Sequence, residues 1–338
     1  MTDAAVEAGG VAATAATAEG GVLPRDDTYA IPPHRTGMEG RLHLSLHRDG
    51  VRTVLGSQRA EPPLSVQRAL YCEELLPDMA YVYITSTSGG MLQGDRHITR
   101  FDLDAGARAH ITTQGATRIY GDDEASPGME KPAARSSLRM SLGENSYLEY
   151  MPDQIIPYTG SRFQQDADIL VHETATLAYV ETVTPGRVGM GESFAYKSCN
   201  LKMRVTDQGG RFRFIDAARM EPRAAQPSLS QPSLRPQSKN RSELDIKSFG
   251  IMAEYNVVSS LYIITQKKHV DKLQKDIDGI ILQHDKIAGG ATTMRGSTGV
   301  MARLLGPDTE SVKSAITEAA AYARKIILGA PFTDIRKS

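Results

Sequence analysis

FDLDAGARAHIT (residues 101–112), MSLGENSYLEYM (140–151) and LVHETATLAYV (170–180) follow one rule. An apolar anchor precedes three turn-forming or polar residues, and small or apolar residues then fall at +4, +6 and +8. Leu103 leads to Ala107, Ala109 and Ile111; Leu142 leads to Ser146, Leu148 and Tyr150; Val171 leads to Ala175, Leu177 and Tyr179. Side chains two apart share one face of a strand, so each copy reads as strand, tight turn, strand. Val205 begins a fourth copy, in which Gly209-Gly210 lengthens the turn and sets Phe212 and Phe214 in the alternating places. The anchor spacings are too irregular for a regular solenoid. They suit strand–turn–strand units stacked side by side, each covering its neighbour's apolar face; a generic β-sandwich carries the same periodicity.

The period of two extends back to residue 41, where Leu42, Leu44 and Leu46 share one face and His43, Ser45 and His47 the other. Asp49-Gly50 is a tight-turn dipeptide and Val51 to Leu55 resumes the extended pattern, which predicts a hairpin. Beyond residue 243 the pattern changes. Val257–Thr265 reads as a strand. Residues 267–284 place Val270, Leu273, Ile277 and Ile280/Ile281 on one helical stripe. Thr292–Leu305 is extended, with Gly299 as a possible start of a second strand. Residues 308–328 align Val312, Ile316, Ala319, Ala320, Ala323 and Ile327, with Asp308 as N-cap and Gly329 and Pro331 as the stop.

Length and composition bound the class. A chain of 338 residues carries a prior of about two domains, but the strand and helix patterns read as one domain in two stretches. These are a β-stack body over 37–221 and a C-terminal α/β region over 243–332 that completes it. Residues 1–36 read as a disordered tail: their Ala, Gly, Thr and acidic residues supply neither the apolar core of a secretory signal nor an Arg-rich transit peptide. Residues 222–242, with a repeated QPSL, read as a low-complexity insertion, and 333–338 as a short tail. Lys and Arg number 39 against 40 Asp and Glu, which argues against a broad nucleic-acid-binding face. No apolar run approaches the ~20 residues of a membrane span. The two cysteines form no CxxC pair, so a reducing, cytoplasmic location is expected.

Gly89 to Gly94 matches the glycine spacing of a phosphate loop, but Asp95 and Arg96 stand where Lys and Ser/Thr would contact phosphate and Mg²⁺. Close backbone approach explains the glycines, and Asp95 is either a turn cap or a functional carboxylate. Gly186-Arg-Val-Gly-Met-Gly191 has the wrong order for a dinucleotide fingerprint. His172-Glu173 lacks the second histidine of a zinc motif, Thr176 standing in its place. On a strand His43 and His47 lie about 13 Å apart and cannot share an ion. What remains is a set of acids in apolar or Gly/Pro-bounded segments: Asp95, Glu149, Asp153, Glu181 and Glu192. Each needs a partner, because an unpaired buried carboxylate is costly. Arg96, Arg118, Arg162, Arg187, backbone N–H groups, water or a cation could serve.

STSGGMLQGD (86–95), TTQGATRIY (112–120), LEYMPDQIIPYTGSRF (148–163) and ETVTPGRVGMGESF (181–194) resemble, in order and spacing, the urease accessory protein D family, called H in some species. Gly40–Leu44 and RKIILGAP (324–331) fit the ends of that family, so the similarity covers about 37–337. The motif positions are Gly89, Gly90, Gly94, Gln114, Tyr120, Pro152, Asp153, Gly186, Arg187 and Gly191. The resemblance implies a mainly β fold, a β-helix-like stack of strands with two C-terminal helices. It implies a non-enzymatic scaffold for nickel insertion that bridges apo-urease and the accessory F and G proteins, with accessory protein E supplying metal indirectly. It further implies no tightly bound cofactor but Ni²⁺ in transit through an internal tunnel, along which Asp95, Glu149, Glu181 and Glu192 are placed. Carboxylates and water hold nickel less firmly than a His- or Cys-rich site would, which suits transit. A pure interaction module in the same assembly is the alternative. A metal-dependent hydrolase would need three convergent ligands and an open position, and no such spacing is evident.

Overall fold

Leu42, Leu44 and Leu46 are almost wholly buried because they form the inner face of strand β1 (Glu39–Asp49). The chain turns at Gly50, φ 56°, into β2 (Arg52–Glu61), which pairs antiparallel with β1 as the alternation predicted. Strands β3 (Leu64–Val66) and β4 (Ala80–Ser86) also pair antiparallel. The computed structural model describes residues 37–122, 131–222, 246 and 252–332. The expected tails and all but the first residue of the low-complexity insertion lie outside them.

The repeat then builds the body. It forms β5 (Arg96–Leu103) with β6 (Arg108–Thr113), β8 (Ala134–Leu142) with β9 (Tyr147–Tyr150), and β11 (Arg162–Val171) with β12 (Thr176–Val183). Short β7 (Thr117–Ile119) and β10 (Ile155–Pro157) follow the first two units. In each unit the first strand joins one sheet and the second joins the other, and successive units stack in parallel. The anchors lie in register: Leu103 faces Leu142, which faces Val171. Across the turn Ile111 faces Tyr150, which faces Tyr179. Tyr179 in turn faces Tyr262, and the rings of Tyr150, Tyr179 and Tyr262 stack at centroid distances of 5.4 and 5.9 Å. The turns are bonded to one another, with Gly143 N–H donating to Leu103 O at 2.8 Å and His172 N–H to Leu142 O at 2.9 Å.

The fourth copy differs from expectation. Strand β13 (Ser198–Asp207) stacks on β11, but Val205 faces Ile169 and Asp207 takes the place opposite Val171. The Asp207 side chain accepts from Arg211 N–H at 2.8 Å and Gly210 adopts φ 75°. This tight turn sends β14 (Phe212–Met220) back along β13 in the same sheet rather than across to the other. Phe212 is therefore exposed. The stacking extends back to β1, where Leu46 faces Leu103 and Asp104 N–H bonds Leu46 O.

The C-terminal region adds β15 (Val257–Ile264), helix α1 (Lys267–Leu282), β16 (Ala288–Thr293), β17 (Gly299–Gly306) and helix α2 (Thr309–Leu328). Asp308 caps α2 by accepting from Ser311 N–H, and Gly329 ends it at φ 72°. The result is a seven-stranded sheet facing a ten-stranded one, both mixed, with parallel centres and antiparallel margins. Leu177 and Tyr179 of β12 point into the core between the sheets, whereas Val180 packs outward under α1 and α2.

A Cβ on Gly143 would lie 2.9 Å from Ala105 N and 3.0 Å from Leu103 O. Gly143→Ala should therefore force adjacent turns apart and cost about 1–3 kcal/mol in urea unfolding. A loss below about 0.5 kcal/mol, the range of an ordinary surface change, would show that the turns are not tightly stacked.

Candidate functional site

The four motif loops meet at one end of the stack. Met91 bridges to Ile119, β7 pairs with β10, and Ile155 of β10 pairs with Val183. Gln93, 2% exposed, joins the remaining edges: its Nε2 donates to Tyr120 O at 2.8 Å and its Oε1 accepts from Arg162 N–H at 3.2 Å. Two glycines permit the approach. A Cβ on Gly90 would sit 2.5 Å from Arg118 O, and one on Gly121 only 2.0 Å from Thr159 O. Gln114 N–H bonds Ile84 O, and Asp153 N–H bonds Thr113 Oγ1. Gly94 and Gly186 turn the chain, and Gly191 closes a 3-10 turn over Val188–Met190. Segments far apart in sequence thus meet round a small apolar cluster of Met91, Ile119, Ile155, Phe163 and Val183, tied at its edges by backbone and Gln93 hydrogen bonds.

The four candidate acids occupy four different settings. Asp95 accepts backbone N–H bonds from Met38 at 2.7 Å and Leu92 at 2.8 Å, which makes it a turn cap. Glu192 pairs with Arg187, whose guanidinium lies 4.2 Å from the centroid of the Tyr158 ring; the bond from Arg187 leads the causes that hold its carboxyl below the usual range. Glu149 faces outward from its sheet, beneath α2. Glu181 alone of the four projects into the space between the sheets, on the same face of β12 as Tyr179.

Arg324, wholly buried on α2, organises the setting of Glu149. Its Nε donates to Glu149 Oε1 at 2.7 Å and an Nη to Oε2 at 2.5 Å, a bidentate pair. Tyr147 OH and His110 Nδ1 complete the carboxylate, each at 2.7 Å. The other guanidinium edge bonds Glu73 and the Tyr81 hydroxyl, and the Phe332 ring covers the group at 4.5 Å. Burial alone would raise the Glu149 pKa. Hydrogen bonds from Arg324 and His110 outweigh it and bring the carboxyl to about 2. Sequence reasoning named four arginine partners for the acids, and Arg324 was not among them. The available signal was a charge four residues after Ala320, on the buried stripe of α2.

Glu181 is buried too, and among the described residues no cation is in contact with it, Arg303 acting only electrostatically. Tyr179 OH donates to it at 2.6 Å and Gln165 Nε2 at 2.8 Å. Burial raises its pKa from 4.5 more than these bonds lower it. It lines a cavity of about 80 Å³ between the sheets, together with His97, Thr99, Asp153 and Gln165. His97, Met91 and Thr113 also line a cavity of about 230 Å³ bordered by exposed Gly89, Gln114 and Arg118. Glu181 also lines one of about 560 Å³ that includes Asp216, Ser260 and Arg303. Asp216 accepts from Tyr262 OH at 2.6 Å and pairs with Arg303. Among the described residues no group of three or more His, Cys, Asp or Glu is placed to hold a metal ion. None of the helices described is long and apolar enough to cross a membrane.

Fold and site together define a mixed two-sheet β protein with interior cavities of mixed polar and apolar lining near its motif loops, and with C-terminal helices on the outer face of one sheet. The profile of the UreD urease accessory protein family matches residues 38–337, and the chain belongs to that family. It is 38% identical over 303 residues to the urease accessory protein UreD of Cenarchaeum symbiosum, covering 90% of this chain and 97% of that one. It is 33% identical to UreD 2 of Brucella suis, over 90% and 93% of the two chains. With UreD of Photorhabdus laumondii it shares 32% identity, over 87% and 84%.

Arg324→Met strips two buried carboxylates of the guanidinium they share and should cost about 3–5 kcal/mol in urea unfolding, with little rescue by Arg324→Lys, which cannot make the bidentate pair. A second expectation concerns acid. Glu149 ionises at about 2 when folded against an ordinary 4.5, so its contribution is complete above 4.5 and is lost as pH falls through 2. Acid unfolding followed by circular dichroism should show this loss in the native chain and not in Glu149→Gln.

Proposed function

We propose that this chain is a scaffold in urease maturation. It bridges apo-urease and the accessory F and G proteins, receives Ni²⁺ that accessory protein E has supplied upstream, and lets the ion pass through its interior without retaining it. The observation that carries the reading is the chain of cavities sharing wall residues, with His97 at one junction and Glu181 at the next. Glu181 suits a passing cation on electrostatic grounds. Its ionised form is penalised by burial and lacks a permanent counter-charge in contact, so a divalent ion relieves that penalty on arrival. Asp95, Glu149 and Glu192 already spend their oxygens on backbone N–H groups or arginine and line none of these three cavities, so on this reading they hold the fold rather than the ion. Hydroxyl, amide and carboxylate oxygens exchange nickel readily.

The same observation on those three acids favours a second reading, in which the chain docks its partners and the metal passes elsewhere. One substitution separates the two. Glu181→Gln keeps the shape and the bonds from Tyr179 and Gln165, and it removes a charge whose burial disfavours folding at neutral pH, so the variant should fold and assemble normally. Conduction predicts urease activation slowed by about tenfold, equivalent to about 1.4 kcal/mol, with co-purification of the F and G proteins and apo-urease unchanged. Activation at the native rate would leave the docking reading.

A further inference from the structure

We infer that His97 is a nitrogen donor for Ni²⁺ at the entry to the interior, and the residue that makes the route prefer nickel to Mg²⁺ or Ca²⁺. The inference rests on the conduction reading and adds to it a ligand type and a selectivity.

Strand alternation puts His97 on the face of β5 that carries Thr99, Phe101 and Leu103, and Phe101 and Leu103 belong to the core between the sheets. The imidazole therefore points inward, and His97 lines both the outer cavity at the glycine loop and the inner one that holds Glu181. The other described histidines are elsewhere. His43 bonds Asp102, His110 bonds Glu149, His172 bonds Thr174 and His284 bonds Glu318. His47 lies on the outer face of β1, and His269 on α1. Among the described residues the His97 ring has no hydrogen-bond or ion-pair partner, the Asp95 carboxylate acting on it only electrostatically, so its ring nitrogens are not committed to another protein group.

Ligand chemistry supplies the selectivity. Imidazole binds nickel well, whereas magnesium and calcium take oxygen donors. A route of carboxylates and hydroxyls alone would admit the far more abundant hard cations. One imidazole among oxygen ligands biases entry toward nickel, yet falls short of the several nitrogen or sulfur donors that would trap the ion.

The test uses the full chain with ¹³C-labelled histidine, titrated with NiCl₂ and observed by NMR. The His97 signal is identified by its disappearance in His97→Gln and checked with His97→Asn. Paramagnetic Ni²⁺ should broaden it before the other imidazoles, and excess MgCl₂ should not restore it. A His97 signal that stays sharp while others broaden, or one that MgCl₂ restores, overturns the inference. In the activation assay, His97→Gln should become several-fold more sensitive to competing Mg²⁺ than the native chain. If Glu181→Gln slows activation while His97→Gln alters neither readout, conduction stands and this inference fails. If His97 takes Ni²⁺ but Glu181→Gln leaves activation unchanged, the site stands and conduction fails.

Discussion

A guanidinium sealed from water holds the C-terminal helix to the second sheet. Arg324 reaches Glu149 on β9, Tyr81 on β4 and Glu73 in the connection before it, so one side chain ties together segments that span most of the chain. Taking such a charge out of water is expensive, and the bidentate carboxylate pair offsets that cost only while every donor is satisfied. Buried groups of this kind are poor sources of net stability compared with apolar packing. Their effect is positional: α2 can slide or rotate on the sheet only by leaving charges unpaired, and that restriction places α1 and the outer apolar cluster as well.

Between the sheets the balance is different. Near the repeat turns the interior is dry, filled by Leu42, Leu44, Leu46, Phe101 and the stacked tyrosines. Toward the motif loops polar groups enter it, with His97, Thr99, Gln165 and Glu181 beside Met91, Ile155 and Phe163 round a small cavity. A solid core there would be more stable, since burial of apolar area is the main favourable term in folding. The dry end provides the cohesion that permits cavities at the other, and the glycine-assisted crossing of Gly90, Gly121 and their neighbours holds the polar end closed without large side chains. On the proposed conduction reading the separation matters, because a substitution in the cavity would change how an ion is handled while the scaffold persists.

Much of this was legible beforehand. Alternation marked the β1–β2 hairpin and the three stacked units, and helix stripes with Asp308 and Gly329 at their limits marked α2 nearly to the residue. The fourth repeat failed because a turn one residue longer, capped by Asp207, reverses the chain within its own sheet; anchor spacing does not encode that choice. In the sequence the acids look like one set. Their residue type was evident, but strand parity relative to a particular sheet decides which face each occupies, and parity shifts wherever an irregular loop intervenes. Glu149 and Glu181 therefore lie on opposite faces of one sheet although both sit in alternating segments.

By itself the sequence determined the local periods, the turn and cap positions and the family, because these depend on neighbours within a few residues or on motifs in order. Only the tertiary structure decided that Arg324 answers Glu149, that Asp95 serves a turn, and that His97 and Glu181 look into shared cavities. Those relations join residues up to 175 positions apart, and they arise from the register in which sheets and helices stack, a property no local segment contains.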